Sequence, residues 1–226
     1  MKTFTTEDKS FSASAPNLAK YVLKTFKPED KFLKAARKRL DKCGIPAIHV
    51  TPMDGLHLEV LVRALNAKRV IEVGTLGGYS AVSILRGLGS KGHLDTLEIN
   101  PVFAGLARDT IREAGFNGRA TIHIGPALES LKKLAGPYDL MFIDADKENY
   151  INYFNWAAEH LRVGGTILAD NTFALGNITR TKFANENERR IVSAIRAFNR
   201  AVSTHPRFRS TILPTGDGLT VSVKIK

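Results

Sequence analysis

The chain has 226 residues, 43% apolar and 24% charged, proportions that exclude a disordered, collagenous or coiled-coil protein, and its length suits one large domain or two small ones. The single cysteine, Cys43, excludes an intramolecular disulfide framework and a cysteine-cluster zinc site, which fits a reducing compartment. The net charge of +11 raises nucleic acid as a partner, but it is split along the chain: 11 Lys+Arg against 5 Asp+Glu over residues 1–48, 12 against 14 over 49–176, and 10 against 3 over 177–226. Phosphate neutralisation supplies most nucleic-acid affinity, and a slightly acidic middle argues against that partner. No apolar run approaches the roughly 18 residues of a membrane span, and the stretch Met1–Asp8 lacks the apolar segment of a secretory signal. A cytoplasmic protein without membrane contact is expected.

Residues 17 to 43 read as helical with an interruption at Pro28, and Lys20, Lys24, Lys27, Lys31, Lys34 and Lys38 form a basic stripe. We read it as a solvated face opposite Tyr21, Phe26, Leu33 and Leu40, with contact to an anionic substrate or surface as the alternative. This basic N-terminal helical region, 1–48, precedes a domain over 49–226, the two forming one compact unit. Thr51-Pro52-Met53-Asp54 opens a helix to about Ala67 with a capping-box-like Thr and Asp. Strands are predicted at Arg69–Val73, His93–Glu98, Ala120–Ile124, Leu140–Ile143 and Thr166–Ala169. Between them, Asn100-Pro101 caps a helix to about Ala114, and Tyr150–Leu161 repeats apolar residues at helical spacing up to Gly164-Gly165. A helix from about Glu188 to Val202 is followed by a hairpin, Phe208–Leu213 and Leu219–Ile225 around Pro214-Thr215-Gly216-Asp217-Gly218. The alternation predicts an α/β fold with a doubly wound, mostly parallel sheet and an antiparallel C-terminal hairpin at its edge.

The stretch Val70-Ile71-Glu72-Val73-Gly74-Thr75-Leu76-Gly77-Gly78-Tyr79-Ser80 runs from a strand through a glycine-rich turn into a helix. A dinucleotide turn wants G-x-G-x-x-G, which would place glycines where Leu76 and Tyr79 stand. The pattern is instead E-x-G-x-x-x-G. A carboxylate two residues before the first glycine repels a pyrophosphate but pairs with an ammonium group, so a nucleoside without phosphates fits. Glu98 closes the second strand 20 residues after Gly78, the spacing at which an acidic side chain accepts hydrogen bonds from ribose hydroxyls. A sulfonium nucleoside carrying an amino acid, S-adenosylmethionine, meets these requirements.

Phe142-Ile143-Asp144-Ala145-Asp146-Lys147 and Leu168-Ala169-Asp170-Asn171 also close strands. In a doubly wound sheet ligands bind beyond the carboxyl ends of the strands, which brings Asp144, Asp170 and Asn171 to one cleft. Three oxygen donors and no His or Cys describe a hard cation, and octahedral Mg²⁺, sharing its other positions with water and substrate oxygens, is the expected occupant. The six histidines show no ligand or triad spacing.

These residues resemble the cation-dependent O-methyltransferases, the family of catechol and caffeoyl-CoA O-methyltransferases. The resemblance runs from about residue 45 to the C-terminus and is carried by the segments at 70–80, 97–100, 142–147 and 169–171, by Arg196-Ala197-Phe198-Asn199 and by Leu213-Pro214-Thr215-Gly216-Asp217-Gly218-Leu219. Ala145-Asp146 places the chain nearer the caffeoyl-CoA and bacterial branch than the animal catechol enzymes, which carry His-Trp there. The resemblance implies a Rossmann-like class I methyltransferase fold with seven strands and a homodimer. It implies that Glu72, Gly74, Thr75 and Ser80 hold the methionine end of S-adenosylmethionine and Glu98 the ribose, with Val50, Ala127 and Asp146 as further cofactor contacts. It makes Asp144, Asp170 and Asn171 the metal ligands and Lys147 the catalytic lysine, acting beside the metal-bound Asp144. Two departures stand out: the family continues Asp-Asn with Val-Leu-Trp-x-Gly where this chain has Thr172-Phe173-Ala174-Leu175-Gly176, and many members have Glu-Gly or Gln-Gly where it has Asp54-Gly55.

The expected reaction is methyl transfer to a hydroxyl of a small aromatic diol, of catechol or phenylpropanoid type. A vicinal diol chelates Mg²⁺, the metal lowers the pKa of the bound hydroxyl, and Lys147 takes the proton if its own pKa is lowered. If the pKa stays high, Lys147 is an electrostatic orienter. The alternatives are a basic nucleic-acid-binding protein or RNA methyltransferase, supported by the charge alone, and a polyamine synthase-like aminopropyltransferase, whose cationic acceptor would not be drawn to a metal.

Overall fold

A computed structural model describes residues 16–226, with side chains from Lys20 onward; the first fifteen residues of the basic N-terminal region lie outside the described residues. The helices are α1 (Pro16–Phe26), α2 (Lys31–Lys42), α3 (Pro52–Ala64), α4 (Tyr79–Gly87), α5 (Pro101–Glu113), α6 (Ala127–Leu131), α7 (Tyr150–His160) and α8 (Glu186–Thr204). The strands are β1 (Arg69–Val73), β2 (His93–Glu98), β3 (Ala120–Ile124), β4 (Tyr138–Ile143), β5 (Leu161–Ala169), β6 (Phe208–Leu213) and β7 (Leu219–Lys224). They form one seven-stranded sheet in the order β3-β2-β1-β4-β5-β7-β6. The first five pair in parallel, and β7 enters antiparallel between β5 and β6. This is the expected doubly wound sheet with its hairpin at one edge.

The central strands are buried on both faces, so period-2 alternation sorts side chains into two cores. Val70, Leu140, Phe142 and Leu168 pack with α2, α3 and α4, while Ile71, Val73, Met141, Ile143 and Ile167 pack with α7 and α8. Strand order reverses at β1, whose neighbours are β2 and β4, so the carboxyl ends of β1, β2 and β4 open on one crevice.

Local chemistry sets the boundaries. The Thr51 hydroxyl accepts from the Asp54 N–H at the start of α3, and the Asn100 side chain does the same for Val102 at α5. Two expectations need correction. Strand β5 begins at Leu161 rather than Thr166, because the register slips between Tyr138 and Leu140 and takes Gly164-Gly165 into an irregular strand instead of ending it. In the N-terminal region the six stripe lysines are exposed and Leu33 and Leu40 are buried, but Tyr21 and Phe26 are 64% and 62% exposed. After Pro28 the chain restarts as α2 on an Asp30 cap, and α2 presents a buried face of Leu33, Ala36 and Leu40. Among the described residues no helix is long and apolar enough to cross a membrane.

Candidate active site

At the carboxyl ends of the parallel strands lies a cavity of about 620 Å³, within the size range of small-molecule sites. Val50, Gly74, Thr75, Ser80, Glu98, Ala127, Asp144, Asp146, Lys147 and Asn171 line it. Ten of the twelve candidate residues thus share one space. The other two, Glu72 and Asp170, are 0% and 8% exposed and do not line the cavity. For Glu72 the reason is strand alternation: it shares the helix-packed face with Val70, and the chain reaches the cavity wall from Val73 and Gly74 onward. There a Cβ would sit 2.0 Å from the main-chain oxygen of Asp144, so glycine lets the ends of β1 and β4 close together. The Thr96 hydroxyl donates to Glu72 Oε2 at 2.6 Å, while Oε1 has no hydrogen-bond partner among the described residues. Burial pushes the Glu72 carboxyl up to about 7 against the pull of the Ser80 and Thr96 hydroxyls, and Asp144 and Glu98 add to the rise.

Glu98 is set differently. Its Oε2 accepts from the N–H groups of Thr75 and Leu76 at 3.3 and 2.8 Å, and Oε1 accepts from Asn100 N–H at 2.9 Å. The carboxylate therefore ties the glycine-rich turn to the end of β2 while facing the cavity. Two aromatic residues outside the expected set wall the same space: His49 and Tyr79 stack with centroids 5.3 Å apart. The Tyr79 hydroxyl donates to Glu29 Oε1 at 3.0 Å, which joins the N-terminal region to the cavity wall.

At the other end, Lys147 Nζ donates to Asp144 Oδ1 at 3.1 Å and to the Tyr150 hydroxyl at 2.7 Å. Tyr150 in turn donates to the main-chain oxygen of Asp170 at 3.0 Å. Burial works against the Lys147 charge, but Tyr150, Asp144 and Asp170 outweigh it and hold the ammonium above its ordinary range. The Tyr153 hydroxyl donates to Asp146 Oδ1 at 2.6 Å. Tyr150 and Tyr153 had no site role in the sequence reading; both stand in the first turn of α7, which follows directly on a short 3-10 turn at Lys147–Asn149 and so carries them back to Lys147 and Asp146.

Whether these residues suit a divalent cation can be judged from their charges. Among the described residues the Asp170 carboxylate accepts one hydrogen bond, from Asn171 N–H at 2.7 Å. Burial drives its pKa well above the usual carboxylate range, and Asp144 and Asp54 push the same way. Among the described residues no three His, Cys, Asp or Glu side chains converge as a metal cluster; the set is two carboxylates and an amide. A buried Asp170 carboxylate repelled by half-buried Asp144, with the Asn171 amide next in sequence and lining the same cavity as Asp144, offers the oxygen donors that suit a hard cation keeping several positions for water or substrate.

The family model described as O-methyltransferase matches residues 24–225. The chain belongs to this O-methyltransferase family. The match begins well before residue 45, so it takes in α2, which the resemblance had left out. The catechol O-methyltransferase of Mycobacterium tuberculosis (strain ATCC 25618 / H37Rv) is 37% identical over 201 residues, covering 88% of this chain and 89% of the relative. Caffeoyl-CoA O-methyltransferase 2 of Populus trichocarpa is 32% identical over 221 residues, covering 92% and 89%. The crystal structure of the O-methyltransferase from Bacillus cereus in complex with SAH superposes with a TM-score of 0.85 at 32% identity, covering 97% of this chain and all of that one (100%). Family membership makes the chain an O-methyltransferase rather than an aminopropyltransferase.

Proposed function

We propose that this O-methyltransferase moves the methyl group of S-adenosylmethionine to a hydroxyl of a small aromatic diol, of catechol or phenylpropanoid type, beside a divalent cation held by Asp144, Asp170 and Asn171. The observation that supports this reading most is that one cavity joins the Glu98 carboxylate at one end to the Asp144–Lys147–Asn171 group at the other. When bound, the cofactor supplies a methyl group on sulfonium, and the cation, Mg²⁺ by its donor set, supplies Lewis acidity to the acceptor hydroxyl and lowers the pKa of the nearby ammonium.

Glu98 accepts from the ribose hydroxyls with the lone pairs its backbone donors leave, while Val50 and Ala127 flank the nucleoside. Gly74, Thr75 and Ser80 shape the methionine end, and Glu72 stabilises the amino acid's ammonium from behind Ser80. Asp146, fixed by Tyr153, lies along the sulfonium. Lys147 Nζ, aimed by Asp144 and Tyr150, receives the acceptor's hydroxyl proton once its own pKa has fallen; with the pKa high it orients the acceptor oxygen as a charged donor. The reading is tested by methyl transfer from S-adenosylmethionine to a panel of catechols and monophenols with and without EDTA. Activity on diols that EDTA abolishes and Mg²⁺ restores is expected, and full activity in EDTA would overturn the metal.

A further inference from the structure

The segment that follows Asp170 carries unusual backbone strain. Asn171, Ala174 and Leu175 all have left-handed φ, +58°, +53° and +56°, a conformation that side-chain-bearing residues keep only when their surroundings enforce it. Part of that enforcement is local: Ala174 N–H reaches the Asn171 oxygen at 2.9 Å, Asn177 N–H the Ala174 oxygen at 3.1 Å and Ile178 N–H the Phe173 oxygen at 3.0 Å. Most comes from the turn between β6 and β7, more than 40 residues later in the chain. Thr172 donates to the main-chain oxygen of Gly218 through both its N–H and its hydroxyl, at 3.0 and 2.9 Å. Phe173 N–H donates to the main-chain oxygen of Asp217 at 2.8 Å. The Asp217 carboxylate then accepts from the next left-handed pair, Leu175 N–H to Oδ2 at 2.7 Å and Gly176 N–H to Oδ1 at 3.0 Å. Gly218 leaves room for this: a Cβ there would lie 2.8 Å from the Phe173 ring. From α8, Asn199 Nδ2 donates to the Thr172 oxygen at 2.9 Å.

We propose that Asp217 is a positioning residue: by clamping the strained segment after Asp170 it sets the orientation in which Asp170 and Asn171 present their oxygens to a cation. This rests on the metal reading above. Both sequence segments left without a role, Arg196-Ala197-Phe198-Asn199 and the Pro214–Gly218 turn, supply atoms to the clamp. The turn also reaches the acidic neighbour of Asp170, since the Thr215 hydroxyl donates to Asp54 Oδ1 at 3.0 Å. Asp217 acts through backbone N–H groups and needs no contact with cation or substrate.

The test titrates Mn²⁺ alone into the full-length chain, read by electron paramagnetic resonance, for wild type, Asp217→Ala and Asp217→Asn, with SAH affinity and amide hydrogen exchange as companion measurements. Removing a partner that orients ligands weakens metal binding by roughly ten- to a hundredfold. Asp217→Ala should show that loss, with faster exchange at Leu175 and Gly176 and SAH affinity unchanged. Asp217→Asn keeps one acceptor oxygen and should fall between the two, and it carries the test if the alanine variant does not fold. Faster exchange in the segment with Mn²⁺ affinity unaltered would overturn the positioning role alone. A wild-type chain that binds no Mn²⁺ would overturn the metal reading, and the role of Asp217 with it.

Discussion

At the end of β2, the Glu98 carboxylate accepts three backbone N–H groups and ties together two loops; at the end of β5, the Asp170 carboxylate, buried equally deeply, accepts one and faces the repulsion of Asp144 and Asp54. Both are carboxylates at the carboxyl ends of parallel strands, and their acidity does not separate them. The difference lies in what surrounds each charge. Amide dipoles aimed at Glu98 stabilise it before any ligand arrives, which suits a neutral partner such as a ribose diol. Among the described residues Asp170 has a single such donor, which suits the cation proposed for it, and Lys147, shared between Asp144 and Tyr150, is a positive group beside the pair.

The largest effect tests the uncompensated end. Asp144→Ala or Asp170→Ala should lower turnover by more than about a hundredfold while calorimetry still detects S-adenosylmethionine binding, because the cation holds the acceptor more than the cofactor. Loss of cofactor binding in both variants would erase the contrast between the two ends. Next, Lys147→Met should lower kcat by roughly a hundred- to ten-thousandfold, the range for a positioned proton acceptor, with Mn²⁺ and cofactor affinities kept; a fall in kcat of only a few-fold would leave Lys147 as an orienter.

At the compensated end, Glu98→Gln removes charge-assisted bonds worth about 1.5–3 kcal/mol, so cofactor affinity should drop roughly ten- to a hundredfold. Because the amide keeps a single acceptor oxygen for three backbone donors, the ligand-free melting temperature should drop as well, which a scanning calorimeter would report. An unchanged dissociation constant would move the ribose contact elsewhere.

The smallest effect concerns Glu72, and its sign follows from the carboxyl lying at about 7 when folded against 4.5 ordinarily. Between those values the folded chain keeps a proton that the unfolded chain has lost, so wild-type stability falls as pH rises through the window. Glu72→Gln lacks that penalty, and the ligand-free variant should match wild type near pH 4.5 and exceed it by about 1–3 kcal/mol at pH 8. Melting temperatures that differ by the same amount at both pH values would contradict the buried charge.

Much of the site was legible because its carriers are local. A glycine turn after a β-branched run, an acidic residue 20 positions later, and Asp-x-Asp-Lys and Asp-Asn closing two strands all announce strand ends, and parallel pairing leaves those ends on one side. Local patterns fell short where a residue's neighbours come from elsewhere in the chain. His49 joined the cavity wall by stacking on Tyr79, 30 positions away in sequence, and no spacing within either segment signals that.

Residue periodicity and turn chemistry thus determined the strands, the order of helices and the identity of the acidic strand ends, since each depends on a few adjacent residues. The sheet order decided the rest. Inserting β7 beside β5 brought the turn at 214–218 against the segment after Asp170, and packing helices over the Val70 face buried Glu72 while Gly74 stayed open to the cleft. Burial and opposing charge are properties of what the fold assembles around a side chain, which is why Glu98 and Asp170, both strand-ending acids, differ as sites.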